Sequence, residues 1–148
     1  MLAPNDAVLT RVFTTSIDSD VANSQPNLCL SGPARQFRVC VEAVAGHLIG
    51  NSCLHYTLNL TCIDEVLAAP NNAMSRLGVI QQFSKQHGWK PHGCAGTYVK
   101  RECFVIDVPP HVKCHVFHYI VTLCDNHGNI ASFLHSAPFI LVDGKECD

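Results

Sequence analysis

Strict alternation of apolar and polar side chains constrains this chain more than any other feature. From Gln36 to Ala45, Phe37, Val39, Val41, Ala43 and Ala45 point one way, and Arg38, Cys40 and Glu42 point the other. Successive side chains of a strand face opposite sides, so this pattern fits a half-buried strand and no helix. Cys53 to Ile63 repeats it, with Leu54, Tyr56, Leu58 and Leu60 opposite His55, Thr57, Asn59 and Thr61. The glycine-bounded stretch Gly46 to Asn51 lies between the two and predicts a hairpin.

Further strands follow from the same reading. Ala7 to Thr15 is expected as an edge strand, and Thr97 to Val108 as a further strand ending at Pro109-Pro110. Cys114 to Cys124 is apolar on both faces, which predicts a central strand. Asp125 to Asn129 reads as a turn into a last strand from Asn129 to Val142, interrupted near Pro138. Residues 16–34 read as a long loop, and 1–6 and 144–148 as frayed ends.

One helix is expected. Met74, Leu77, Ile80 and Phe83 recur at intervals of three between a capping Asn71 or Asn72 and a terminating Gly88. The expected fold is therefore mainly β: an antiparallel β-sandwich, immunoglobulin-like or an open barrel. It has six or seven strands, one helix packed near residues 72–87, and a single domain over 1–148.

Composition bears on the surface. Charged residues are 15% of the 148, against about 25% in an average globular protein. Ala7 to Thr15 carries one charge, Arg11, and Asn129 to Leu141 carries none. Edge strands so poorly charged invite pairing with another chain. The expected function is a non-enzymatic protein-interaction or structural domain that associates with itself as a homodimer. The net charge of −2 and the scattering of Arg35, Arg38, Lys100 and Arg101 argue against general nucleic-acid binding. No apolar run reaches the length of a membrane-spanning helix.

Nine cysteines and nine histidines supply the remaining signals. The cysteines are widely spaced, odd in number and without a Cys-x-x-Cys pair, which excludes a zinc ribbon or a thioredoxin-type motif. Many lie in apolar segments, where a free thiol acts as a small hydrophobe. With no signal-peptide pattern at the start, this favours a reduced, intracellular protein, of viral or eukaryotic type. The alternative is a secreted, disulfide-stapled recognition domain that binds a host or cell-surface protein. It would use the sequon Asn59-Leu60-Thr61 for glycosylation and pair Cys40 with Cys53. His92, Cys94, Cys114 and His118 form the best metal set, a Cys2His2 arrangement for zinc. A Cys–His enzyme is a third reading. No nucleophile elbow, phosphate loop or dinucleotide motif is present, so no catalysis and no cofactor besides zinc are expected.

Overall fold

The computed structural model describes residues 2–19, 21–23, 26–30, 35–93, 96–110, 112 and 115–143. In chain order the strands are β1 (Ala7–Ser16), β2 (Asn27–Leu30), β3 (Gln36–Ala45), β4 (His55–Asp64), β5 (Ala69–Pro70) and β6 (Arg76–Gln82). They continue with β7 (Lys90–His92), β8 (Thr97–Asp107), β9 (Val116–Cys124), β10 (Ile130–His135) and β11 (Phe139–Asp143). The chain is mainly β, and its two sheets form a sandwich-like fold.

Sheet A has the order β1-β3-β8-β7. Sheet B is built on β9 and β4, which pair antiparallel from Thr57–Cys124 to Asp64–Phe117. On one side β9 is joined by β10 and β11, and β2 runs parallel to β11. On the other side β4 is joined by β5 and β6. The central position expected for Cys114 to Cys124 is that of β9, whose Phe117, Tyr119, Val121 and Leu123 are buried.

The core lies between the sheets. The inward residues of β3 meet those of β9 and β11, and Phe37 packs on Phe139 with ring centroids 5.5 Å apart. A second aromatic group holds one end: Tyr56 and Phe83 are 4.3 Å apart, and Trp89 lies 5.1 Å from Phe83. Burying rings of this size supplies much of a small domain's stabilisation.

Three expectations are corrected. Strands β3 and β4 are not a hairpin, because β3 pairs with β1 and β8 in sheet A while β4 lies in sheet B. Alternation identifies the face a strand buries but not its neighbour. Here the two buried faces meet across the core, and residues 46–54 carry the chain between sheets. Gly46 is needed there, since a Cβ would meet the carbonyl oxygens of Ala3 and Pro4. The same contacts tie down part of the start expected to fray, with Gly46 N–H donating to Asp6 and Leu48 N–H to Pro4.

The helix is the second correction. Residues 72–87 contain a 3-10 turn at Asn72–Met74, the strand β6, and a 3-10 turn at Lys85–His87. The end signals are real but each serves a single turn. Asn71 caps the first through Met74 N–H at 3.2 Å, and Gly88 ends the second in the left-handed region at φ 94°. Between them, the outer edge of β4 needs backbone partners, and β6 supplies them. Met74 and Phe83 are buried, whereas Leu77 and Ile80 are 62% and 70% exposed, so no helical stripe exists.

The third correction concerns the edges on which self-association rested. The charge-poor strands β1 and β10 face each other across one side of the sandwich, where Leu9 N–H donates to Ser132 Oγ at 2.9 Å. On the other side, side chains bridge β6 and β8. Arg76 donates to the Val105 carbonyl at 2.8 Å, Lys100 reaches Gln81 Oε1 at 3.1 Å, and Gln81 bonds Glu102. Edges that meet edges need no added charge to block pairing.

Candidate functional site

Register builds a distinct surface on the outside of sheet A. Side chains there run in rows across β1, β3 and β8: Thr15–Arg38–Val105, then Phe13–Cys40–Cys103, then Arg11–Glu42–Arg101. Cys40 and Cys103 are directly opposed and joined as a disulfide. Phe13 and Cys40 are buried but lie outside the core cluster, as their outward positions require. What covers Phe13 is cationic. The Arg11 guanidinium lies 4.3 Å from the ring centroid and that of Arg101 lies 5.0 Å from it. The attraction is electrostatic, between a cation and the negative face of the ring. Arg11 also approaches Glu42 at 3.8 Å, with its own side chain 54% exposed. Arg38 turns to the loop after β1 and donates to the carbonyls of Ile17 and Ser19 at 3.0 and 2.9 Å. These three rows therefore carry three guanidinium groups and one carboxylate, and the next row of the same face adds Asp107, which accepts from Gln36 Nε2 at 2.7 Å.

A second group of titratable side chains lies where β4 meets β9. His115 Nδ1 is 2.7 Å from Asp64 Oδ2, and His118 Nδ1 is 2.7 Å from Glu65 Oε1. Burial alone would raise the Asp64 pKa. The bond from His115 and the backbone N–H groups of Leu67 and Val66 outweigh it and hold the carboxyl below its usual value. His118 stacks on His135 at 5.6 Å. Neither His115 nor His118 has a serine or cysteine partner among the described residues. Ser84 Oγ does meet His87 Nδ1 at 2.5 Å, but this bond spans one 3-10 turn, and Ser84 is buried.

The remaining polar cluster joins the sheets. Tyr56 accepts from Trp89 Nε1 at 3.2 Å and donates to Gln81 at 2.6 Å, beside Lys100. Burial pushes the Tyr56 phenol well above its usual range, so it stays protonated. The void beneath is only about 10 Å³.

Of the expected metal set, Cys94 and Cys114 lie outside the described residues. His92 stands on β7 of sheet A, and His118 stands on β9 of sheet B, bonded to Glu65. Among the described residues no group of three or more His, Cys, Asp or Glu could hold a metal ion. Asn59 is on the outward face of β4 as expected, but its amide is engaged: Oδ1 accepts from Gly78 N–H at 2.8 Å. The expected Cys40–Cys53 pair is corrected, since Cys40 bonds Cys103 and Cys53 is free and exposed. Without a β3–β4 hairpin, Cys40 and Cys53 are not cross-strand neighbours. Cys29 is also disulfide-bonded. Cys62 and Cys124 are free, and burial pushes the Cys62 thiol up to about 12.

No protein-family profile matches the sequence, and no curated protein matches it. Among solved structures, the chain is similar to the Pseudomonas fluorescens alkylpurine DNA glycosylase AlkC bound to DNA containing an abasic site analogue. The TM-score is 0.43 and the identity 9%, over 95% of this chain and 31% of that one. The chain thus spans about a third of that protein's length, and a likeness at this level carries no argument about activity. The expected non-enzymatic, self-associating protein-interaction domain without nucleic-acid contacts is not kept. Two premises of that expectation fail in the structure. The charge-poor strands β1 and β10 lie against each other, and Arg11, Arg38 and Arg101, dispersed in sequence, stand on one sheet face.

Proposed function

We propose that the chain is a binding module that holds the phosphate backbone of a nucleic acid on the outer face of sheet A. The observation that carries this reading is the pair of guanidiniums, Arg11 and Arg101, packed on Phe13. A guanidinium is a planar fork suited to phosphate oxygens, and stacking on a ring fixes its plane before the ligand arrives. Arg38 is two residues from Cys40 on the same face and adds to the field. Phe13 is covered and offers no surface for base stacking, so contact is with phosphates and carries little sequence preference. The disulfide bonds of Cys40 and Cys29 favour an oxidising compartment as the place of action.

Two or three phosphate contacts give weak, salt-dependent binding. The slope of log K against log salt for a duplex is then about −2 to −3. Fluorescence anisotropy with a labelled 20-nucleotide duplex, from about 20 to 200 mM salt, is the test. Binding with that slope, lost in the Arg11→Gln/Arg101→Gln double variant, is expected. No binding at the lowest salt, or binding unchanged by the double variant, overturns the reading.

A further inference from the structure

The surroundings of the Cys40–Cys103 bond set it apart from an inert structural crosslink. It lies on the outside of sheet A, not between the sheets, and Cys103 is only partly buried while Cys40 is fully so. The β3–β8 ladder runs in register from Gln36–Asp107 to Ala45–Tyr98, so the two strands are held together on both sides of the bond without it. The row beside it contains Arg11, Glu42 and Arg101, and the two guanidiniums lean over Phe13, into the disulfide's own row. Arg38 stands in the row on the other side, with its guanidinium held by the carbonyls of Ile17 and Ser19. Cations next to a disulfide stabilise the thiolate that leaves when the bond is attacked, which speeds exchange and favours the reduced state.

We propose that Cys40–Cys103 is a thiol-exchange site, reduced and re-formed in the folded protein by an external dithiol. The dithiol's thiolate attacks Sγ of Cys103, the less buried of the two residues. The S–S bond breaks, Cys40 leaves as a thiolate with the electron pair, and a mixed disulfide forms on Cys103. The second thiol of the reagent loses its proton and attacks its partner sulfur in the mixed disulfide, which releases the Cys103 thiolate. The reagent ends as a disulfide, oxidised by two electrons. The protein's pair is reduced by two electrons, and the two protons given up by the dithiol pass to its thiolates. This proposal goes beyond the phosphate-binding reading and needs no nucleic acid, so either can fail alone.

The experiment treats the full chain with dithiothreitol in native buffer. It quenches with acid, alkylates, and locates the modified cysteines by peptide mass. Cys40 and Cys103 are expected to become labelled together, at a rate first-order in reagent and flat across sub-denaturing urea. Arg101→Gln is expected to slow the reaction by about threefold or more, and 0.5 M KCl to shrink that difference. The first attack is timed whether or not the reduced protein stays folded. A rate that climbs steeply with urea would mean that reduction requires unfolding, and would overturn the proposal. So would a rate indifferent to Arg101→Gln, with Arg38→Gln as a second check on the cationic surroundings.

Discussion

Removing the Cys40–Cys103 crosslink gives the sharpest test of how this sandwich is held together. The bond joins residues 63 apart in sequence. In the unfolded chain it closes a loop of that length. The entropy it removes is about −2.1 − 1.5R ln n cal/mol/K, which for this loop is about 4 kcal/mol at 25 °C. The native state offers little to offset that figure, because the ladder on either side already fixes the strands. The Cys40→Ala/Cys103→Ala double variant should therefore lose about 4 kcal/mol, with Cys29's bond left intact in both proteins. Urea denaturation followed by tryptophan fluorescence reads it through Trp89. With a slope near 2 kcal/mol/M the midpoint falls by about 2 M. Cys53→Ser, at an exposed free thiol, is the control and should move stability by less than about 0.5 kcal/mol. A loss below about 1 kcal/mol in the double variant would refute the loop-entropy argument. It would mean that the unfolded chain keeps these strands close without the bond.

Other outcomes follow from the corrected region and the ion pairs. Leu77→Ala should cost less than about 0.5 kcal/mol because the side chain is 62% exposed on β6; a loss above 2 kcal/mol in chemical denaturation would restore a buried stripe. Phe83→Ala, two residues before the second 3-10 turn, should cost about 3–5 kcal/mol, since it empties the contact with Tyr56 and Trp89. Asp64 should make the fold acid-sensitive. Its folded pKa lies below the unfolded value, so the folded state binds fewer protons, and this stabilisation is complete above the unfolded pKa of about 3.9 and lost as pH falls through the folded one. Asp64→Asn should flatten the fall in thermal midpoint as pH drops below about 4, and an unchanged profile would remove Asp64 from the acid transition.

Strand existence and facing were legible because they are local. The alternation at Gln36 to Ala45 and at His55 to Ile63 reports which side chains leave water, and the apolarity of Val116 to Cys124 marks a central strand, paired on both edges, buried on one face and half-buried on the other. The turn at Asp125 was legible for the same reason: Asp125 Oδ1 accepts from His127 and Asn129 N–H, and Gly128 takes φ 81°. The segment from Asn71 to Gly88 was misread because its cap and stop residues are valid for a helix of any length. Whether one turn or four lies between them depended on the unpaired edge of β4, which is remote in sequence. The arginine face was illegible for a related reason. Arg11, Arg38 and Arg101 stand on three strands, and only the register of β1 and β8 on β3 brings them to one surface. The sequence by itself determined that this chain buries alternate residues in a β-sandwich, because the pleat converts a period of two into a face. Strand order, the partner of Cys40 and the gathering of cations were decided by tertiary structure, because backbone hydrogen bonds between strands are alike at every register and only the packing of the whole core selects among them.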